Sequence, residues 1–317
     1  MIASFLMIRT AALLFYLCVA WDVCHGQGLS PRAYVITPIH SNAVTLTYTL
    51  QEGEVVFDQI VPTPDSRGTI STGILTCFHT LSFFGRSANL NASIPYSLGD
   101  FRGTVSGVKR EISRSGLAPA VIRFSANLKG GPAMTVEEFL KWGQKTVIGA
   151  SLTVTTGTGQ YDAARLINIG ANRWGFKPEI GISRRWGNWI VDGYGAVWFF
   201  TANHDYFLNA SGATGSNTQT QKPMGAVEVH LSYDVKPRLW VSLDGNYWYG
   251  GETSLNGVPS PTTVQSNSRL GATVAIPIAR SQRSLKFSYS GGTYIRFGGD
   301  FRELSVAWQY SWLGRPN

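Results

Sequence analysis

Residues 303–312, near the end of the chain, read ELSVAWQYSW, with large side chains at every even position and small or polar ones at most odd positions. This alternation predicts a β-strand with one apolar face and one hydrated face. Because a closed barrel is the only sheet whose backbone is fully hydrogen-bonded in lipid, the pattern favours a transmembrane barrel. We expect the even face to meet lipid and the odd face, with Glu303 and Gln309, to face the lumen.

The same period of two recurs along the chain. It is clearest in residues 44–50, 90–94, 122–128, 148–154, 180–182, 227–235, 239–249, 270–276 and 285–289. Two stretches are less regular, residues 70–83 and residues 189–200, the second being apolar on both faces except at Asp192. The sequence therefore predicts an all-β fold, a transmembrane antiparallel up-and-down β-barrel of about 12 strands. The strand at residues 303–312 would close it by pairing with residues 44–50.

The composition suits such a barrel better than a soluble domain. Charged residues make up 15% of the chain and aromatic residues 12%, and the mean hydropathy is close to zero, as expected when apolar and polar faces alternate. The net charge of +8 is spread without a Lys/Arg run. We therefore expect outer-membrane lipids and small-molecule solutes as partners, a monomer, and no nucleic-acid binding.

The first residues predict export. Residues 2–21 are almost entirely apolar and small residues follow, so we interpret residues 1–26 as a signal peptide that is removed. Residues 27–317 would then form a single outer-membrane barrel domain of a Gram-negative bacterium. The alternative is an uncleaved anchor helix. Removal of the leader would leave Cys77 as the sole cysteine, which excludes an intrachain disulfide.

The links between the predicted strands alternate in length. Long links rich in Gly, Ser, Asn and Pro are expected at residues 51–68, 97–118, 156–174, 201–222 and 250–266, and short ones at residues 84–86, 186–188, 236–238 and 278–283. Long outer loops and short periplasmic turns are typical of outer-membrane barrels. One link on the short side is longer, and helical spacing with a capping-box pattern from Thr135 to Glu138 predicts a short periplasmic helix near residues 134–142.

Aromatic residues cluster near the predicted strand ends, which indicates girdles at the membrane interfaces. The candidates are Trp174, Phe176, Trp186, Trp189, Trp198, Phe199, Phe200, Trp248, Trp308 and Trp312.

Charged and polar residues on the inward face are the candidates for lining the lumen. By alternation they are Arg123, Glu179, Glu228, His230, Asp234, Asp244, Asn246, Arg269, Lys286 and Glu303. Both signs occur, so strong ion selectivity is not expected. Two interpretations stay open: these side chains line a route for solutes, or they pair across the lumen and partly close it.

An enzyme is a weaker hypothesis. His230, Ser232 and Asp234 share one strand face, which could serve a Ser-His-acid hydrolase. No Gly-x-Ser-x-Gly elbow surrounds a candidate serine, so we predict no catalytic residues. The histidines lack metal-site spacing, so we predict no metal and no cofactor. A barrel whose outer loops bind partners is the third alternative.

Several segments resemble a known bacterial family. They are LSPRAY at residues 29–34, FGRSA at 84–88, GQYD at 159–162, LINIGANRWGFKPE at 166–179, NSRLG at 267–271, GGDF at 298–301 and AWQY at 307–310. Together they are similar to the outer-membrane transporter family named for the meta-pathway of phenol degradation. The resemblance implies an outer-membrane barrel with a role near the uptake of aromatic compounds, and it brings no binding residues. The chain departs from the usual outer-membrane pattern because six residues, WLGRPN, end it in place of a terminal aromatic.

These observations give one leading hypothesis for function, a porin-like outer-membrane channel or transporter that passively admits small solutes, aromatic or hydrophobic ones among them.

Overall fold

The computed structural model describes residues 29–55, 67–105, 108–165, 167–206, 217–278 and 282–314. The predicted signal peptide at residues 1–26 lies outside the described residues, so its cleavage and the domain boundary that depends on it stay predictions.

Seventeen strands, one α-helix and one 3₁₀ turn at Pro261–Thr263 are found in the described part of the chain. Twelve strands form the barrel: β1 Ser41–Val55, β2 Arg67–Phe83, β3 Arg86–Val105, β5 Val121–Lys129, β6 Thr146–Thr155, β7 Gly175–Trp186, β8 Trp189–Phe200, β11 Met224–Lys236, β12 Leu239–Gly250, β15 Gln265–Pro277, β16 Arg283–Ile295 and β17 Gly299–Leu313. The others are β4 Val108–Leu117, β9 Asn203–Tyr206, β10 Asn217–Gln221, β13 Thr253–Leu255 and β14 Val258–Ser260.

The barrel is closed and antiparallel, as predicted. Neighbouring strands follow chain order around the wall, and the first and last barrel strands, β1 and β17, pair from Ser41–Leu313 to Val55–Gly299. The expected partnership between residues 44–50 and the last strand is confirmed, with Leu46 opposite Trp308. Closure leaves no unpaired strand edge in the hydrocarbon, which is the condition for a sheet to span a membrane.

The two faces of the strands differ as the alternation predicts. On β17, Leu304 is 50% exposed on the outside, whereas Gln309 is 5% exposed and faces inward. The outer surface carries many large apolar side chains, and Leu243 on β12 is 66% exposed. In water such a surface would be costly, so it is the surface that contacts lipid.

Three of the expected long loops contain strands. Residues 97–118 form the outer half of β3 and all of β4, a hairpin that continues the sheet beyond the barrel wall. Strands β9, β10, β13 and β14 form a second, four-stranded sheet from the links at 201–222 and 250–266. The sequence signal failed here because strands outside the membrane need no continuous apolar face, so their alternation is weak.

The short helix is confirmed as α1, Val136–Lys141. Thr135 caps it, and the side chain of Glu138 accepts a hydrogen bond from the Thr135 backbone N–H at 2.8 Å. That bond lowers the pKa of Glu138 from its ordinary value. Phe139 packs inward against Ile36 and Val147, which ties the helix to the end of the barrel with the short turns. Within the described residues, no helix is long and apolar enough to span a bilayer.

The predicted aromatic girdles are correct only in part. Trp174, Trp186, Trp189 and Phe199 are exposed, but Trp198 and Trp248 are buried, in a cluster with Met224. Proximity to a strand end does not set the direction of a side chain. Side chains along a strand alternate between its two faces, and both tryptophans are at positions whose side chains point into the barrel.

Candidate functional site

The lumen contains a piece of the chain itself, residues 29–40, called here the N-terminal segment. Tyr34, Val35, Ile36 and Thr37 are all 5% exposed or less. The segment starts with Leu29, which borders a small cavity against β15, β16 and β17, and ends beside β2, where the Thr37 and Thr80 hydroxyls lie 2.7 Å apart. A barrel of eight strands is only wide enough for side chains, whereas twelve strands leave room for a chain segment.

Arg32 is the first anchor of this segment. Its Nη2 donates to Asp234 Oδ1 at 2.7 Å, and its backbone N–H donates to Asp192 Oδ2 at 3.2 Å. The guanidinium also lies 4.3 Å above the ring of Trp240. Arg32 has a φ of 64°, in the left-handed region that residues other than glycine rarely adopt. Contacts with three strands therefore compensate for the energetic cost of the left-handed backbone conformation of Arg32.

Tyr34 is the second anchor. Its hydroxyl donates to Glu179 Oε1 at 2.9 Å, and its ring makes an edge contact with Tyr194 at 5.3 Å between centroids. The ring lies against the backbone of Gly149 and Gly181, where an added Cβ would collide with it. Glycine in these two strands thus marks a close approach of another chain segment.

Replacing Gly181 with alanine is expected to displace the N-terminal segment, because the new methyl group would overlap the rings of Tyr34 and Tyr194. Overpacking of this kind costs roughly 1–3 kcal/mol. We expect faster trypsin cleavage after Arg32, measured by mass spectrometry of the folded barrel. Gly193→Ala is the matched control, since its Cβ would meet only Ile182 at an ordinary 3.8 Å. Equal cleavage rates in the two variants would contradict this prediction.

The inner wall around the segment carries a chain of ion pairs. Glu179 lies 3.3 Å from Arg123 Nη2 and 3.1 Å from Lys177 Nζ. Lys177 Nζ is in turn 3.7 Å from Glu228 Oε1. All four side chains are buried. Removing one member of a buried pair leaves an uncompensated charge, at a cost of roughly 3–5 kcal/mol.

His230 continues this chain on β11. Its Nδ1 is 2.9 Å from Asp244 Oδ1, and its Nε2 is 3.5 Å from Glu228 Oε2. The hydroxyls of Ser242 and Thr273 donate to the other oxygen of Asp244, at 3.0 and 2.9 Å. The charged groups thus form one network along the wall from β5 to β12, and the Thr273 hydroxyl extends it to β15.

The residues of the hydrolase alternative have other partners. Asp234 pairs with Arg32 and with Arg185, the latter at 2.7 Å. The buried hydroxyl of Ser232 makes no hydrogen bond within the described part of the chain. A catalytic triad needs a nucleophile bonded to its base, and this face does not assemble one.

The remaining candidates lie on the wall around the network. Asn246 on β12 is opposite Glu228 of β11 and Arg269 of β15. Arg269 Nη1 donates to Ser290 Oγ at 2.9 Å. Half-buried Lys286 borders the small cavity beside Leu29, and Glu303 in the same cavity accepts a hydrogen bond from Gln51 at 2.6 Å.

Several residues of this site were not among the predicted ones. They are Arg32, Tyr34, Lys177, Arg185, Asp192 and Tyr194. Alternation alone could have found Lys177, two positions from Glu179, and Asp192 was the one charge in an otherwise apolar strand. Residues 29–40 show no periodic pattern of apolar side chains from which their position inside the barrel could be predicted.

The chain is similar to one known protein family and to solved structures. A family model described as "Putative MetA-pathway of phenol degradation" matches residues 49–312. The crystal structure of the COG4313 outer membrane channel from Pseudomonas putida F1 is similar, with a TM-score of 0.72, 16% identity, and coverage of 89% of this chain and 99% of that one. The beta domain of the Bordetella autotransporter BrkA gives a TM-score of 0.48, 12% identity, and coverage of 86% and 99%. No curated protein sequence matches the chain.

Proposed function

This chain belongs to the family of the MetA pathway of phenol degradation, and on that premise we propose that it is a channel that passively admits small solutes, aromatic compounds among them, across the outer membrane. The observation that carries this proposal is the contrast between the two faces of the barrel wall. Its outer face is apolar, whereas its inner face is a row of charged and hydrogen-bonding groups. A wall of this kind encloses a polar lumen in a membrane.

In this proposal the ten predicted residues line the route. They are Arg123, Glu179, Glu228, His230, Asp234, Asp244, Asn246, Arg269, Lys286 and Glu303. Most of the acidic groups face a basic group within ion-pair distance. A wall whose charges are paired presents little net field, so we expect weak charge selectivity, which lets both uncharged aromatic solutes and small aromatic anions pass.

Passage requires the N-terminal segment to move. The segment is held by hydrogen bonds, ion pairs, ring contacts and apolar packing, and it joins the barrel at β1. Contacts of this type allow a minor detached state, and the population of that state would set the rate of passage.

Liposome flux tests the proposal directly. We expect vesicles that contain the purified protein to take up 4-hydroxybenzoate, an aromatic anion that bare lipid excludes, faster than protein-free vesicles do. Stopped-flow fluorescence with an encapsulated reporter measures the rate. If neither the wild-type protein nor a variant without the N-terminal segment exceeds the protein-free rate, the channel function is wrong.

Partner binding by the outer loops is a second candidate. The observation in its favour is that the described parts of three outer links contain strands, since β3 and β4 extend the barrel and β9, β10, β13 and β14 form a separate sheet. This candidate predicts no flux in the same vesicles. With either function we expect a monomer.

A further inference from the structure

A cavity of about 220 Å³ lies at the end of the barrel from which the long links leave. It is bordered by the ends of β6, β7, β8 and β11, at Thr155, Gly175, Phe200 and Met224. In outer-membrane barrels this end faces the outside of the cell. The volume is below the roughly 300–1,000 Å³ of sites for drug-sized ligands, so the cavity suits a molecule with one ring.

Aromatic rings form one wall of this cavity. Trp198 and Phe200 are stacked with 6.1 Å between centroids and 6° between planes, and both border the cavity with Trp174. Trp198 is buried, and its Nε1 donor has no acceptor within the described residues. A flat apolar wall with an unused donor is a suitable contact for an aromatic ring that carries an oxygen.

Arg173 supplies the charge. Its guanidinium lies 4.7 Å above the ring of Phe200, and its Nη2 donates to Gln221 Oε1 at 2.5 Å. Its Nη1 is buried without an acceptor in the part of the chain that the structure describes. Arg32, Arg123 and Arg185 pair with carboxylates, whereas within the described residues Arg173 has no carboxylate partner and donates to the neutral Gln221.

Such a cation is not stable by itself. Burial lowers the pKa of Arg173 to about 10, which still leaves it charged at neutral pH. A buried charge is normally paired or hydrogen-bonded by every available group. The missing partner is therefore an anion, and the planar guanidinium is suited to a carboxylate.

We propose that this outer cavity binds small aromatic carboxylates, with the carboxylate on Arg173 and the ring against Trp198 and Phe200. The proposal rests on the channel function above and names the class of solute that the mouth of the barrel would concentrate. A carboxylic acid with a pKa near 4 is ionised at neutral pH, whereas a phenol with a pKa near 10 is not. The site would therefore prefer aromatic acids over phenols.

Calorimetric titration of the purified full-length mature protein in detergent tests the site. The probes are benzoate, benzyl alcohol, which has the ring without the charge, and acetate, which has the charge without the ring. We expect benzoate to bind at least roughly tenfold more tightly than benzyl alcohol, as a charged hydrogen bond is worth that much. We also expect it to bind more tightly than acetate, which has no ring to bury. Equal affinities for benzoate and benzyl alcohol would overturn the proposal without the need for any variant.

Substitutions then test whether Arg173 is the residue that binds the carboxylate. Arg173→Met is expected to weaken benzoate binding by about tenfold or more and to leave benzyl alcohol unchanged. Arg165→Met is the matched control, because Arg165 lies on the same outer link but is exposed and paired with Asp162. Should Arg173→Met misfold, Arg173→Lys keeps the charge and is expected to retain part of the benzoate preference. An equal effect of the Arg173 and Arg165 substitutions would overturn the assignment.

The two proposals fail separately. Loss of the benzoate preference with normal vesicle flux overturns only the binding site. Absent flux, in the wild-type protein and in the variant without the N-terminal segment, overturns the channel, even if benzoate binds in detergent.

Discussion

Deletion of residues 29–38 is expected to raise the time-averaged conductance of the reconstituted barrel roughly ten- to thousand-fold, because a minor detached state is typically populated at only about 0.1–10%. The deleted part contains both anchors, Arg32 and Tyr34, and the buried side chain of Ile36. Recordings in planar bilayers at fixed protein content measure the change.

The barrel itself should survive this deletion. Strand β1 begins at Ser41, so its pairing with β2 and β17 is unaffected. Asp234 keeps its ion pair with Arg185, and Glu179 keeps its pairs with Arg123 and Lys177. Asp234, the acid that forms an ion pair with Arg32 of the segment, therefore still has a cation beside it after the deletion.

Controls separate gating from damage. Folding of the deletion variant is checked by its mobility on gels with and without heating. Arg32→Ala is expected to give an intermediate conductance, since it removes one anchor and leaves Tyr34 in place. A folded deletion variant with wild-type conductance would contradict the role given to the segment.

Leu243→Arg is expected to destabilise the barrel by about 2–4 kcal/mol, the usual cost of a basic side chain on the lipid face near the midplane. Leu243 is the fifth of twelve residues in β12 and is among the most exposed apolar side chains of the wall. The measurement is reversible urea unfolding in lipid vesicles, followed by tryptophan fluorescence.

Val258→Arg is the matched control for that change. Val258 is 69% exposed but lies on β14, in the sheet outside the barrel. A surface substitution in water usually changes stability by less than about 0.5 kcal/mol. Equal destabilisation by the two arginines would mean that the outer face of β12 does not meet hydrocarbon.

Much of the wall could be predicted because its cause is local. The period of two at residues 303–312 follows from strand geometry and from the difference between lipid and water, so it reports the direction of Leu304 and Gln309 without any knowledge of their neighbours. The same argument selected Glu179, Glu228 and His230 as inward. Helix α1 could be predicted for the same reason, since its capping box involves only Thr135 and Glu138, which are three residues apart.

Contacts between distant residues could not be predicted in this way. The sequence placed Arg123 and Glu179 on inward faces, but their pairing depends on which strands lie side by side and on the register between them. The inward direction of Trp198 was missed because its strand, β8, is apolar on both faces. Its sequence therefore does not distinguish the residues that face the lumen from those that face lipid.

The sequence by itself determined the class of this protein, a closed outer-membrane barrel, because strands with one apolar and one polar face can span a membrane only when the sheet closes on itself. Only the tertiary structure decided what fills the barrel. The N-terminal segment is held by Asp192, Asp234 and Glu179, which are more than a hundred residues away along the chain. Such contacts exist only once the barrel has closed, and no local period records them.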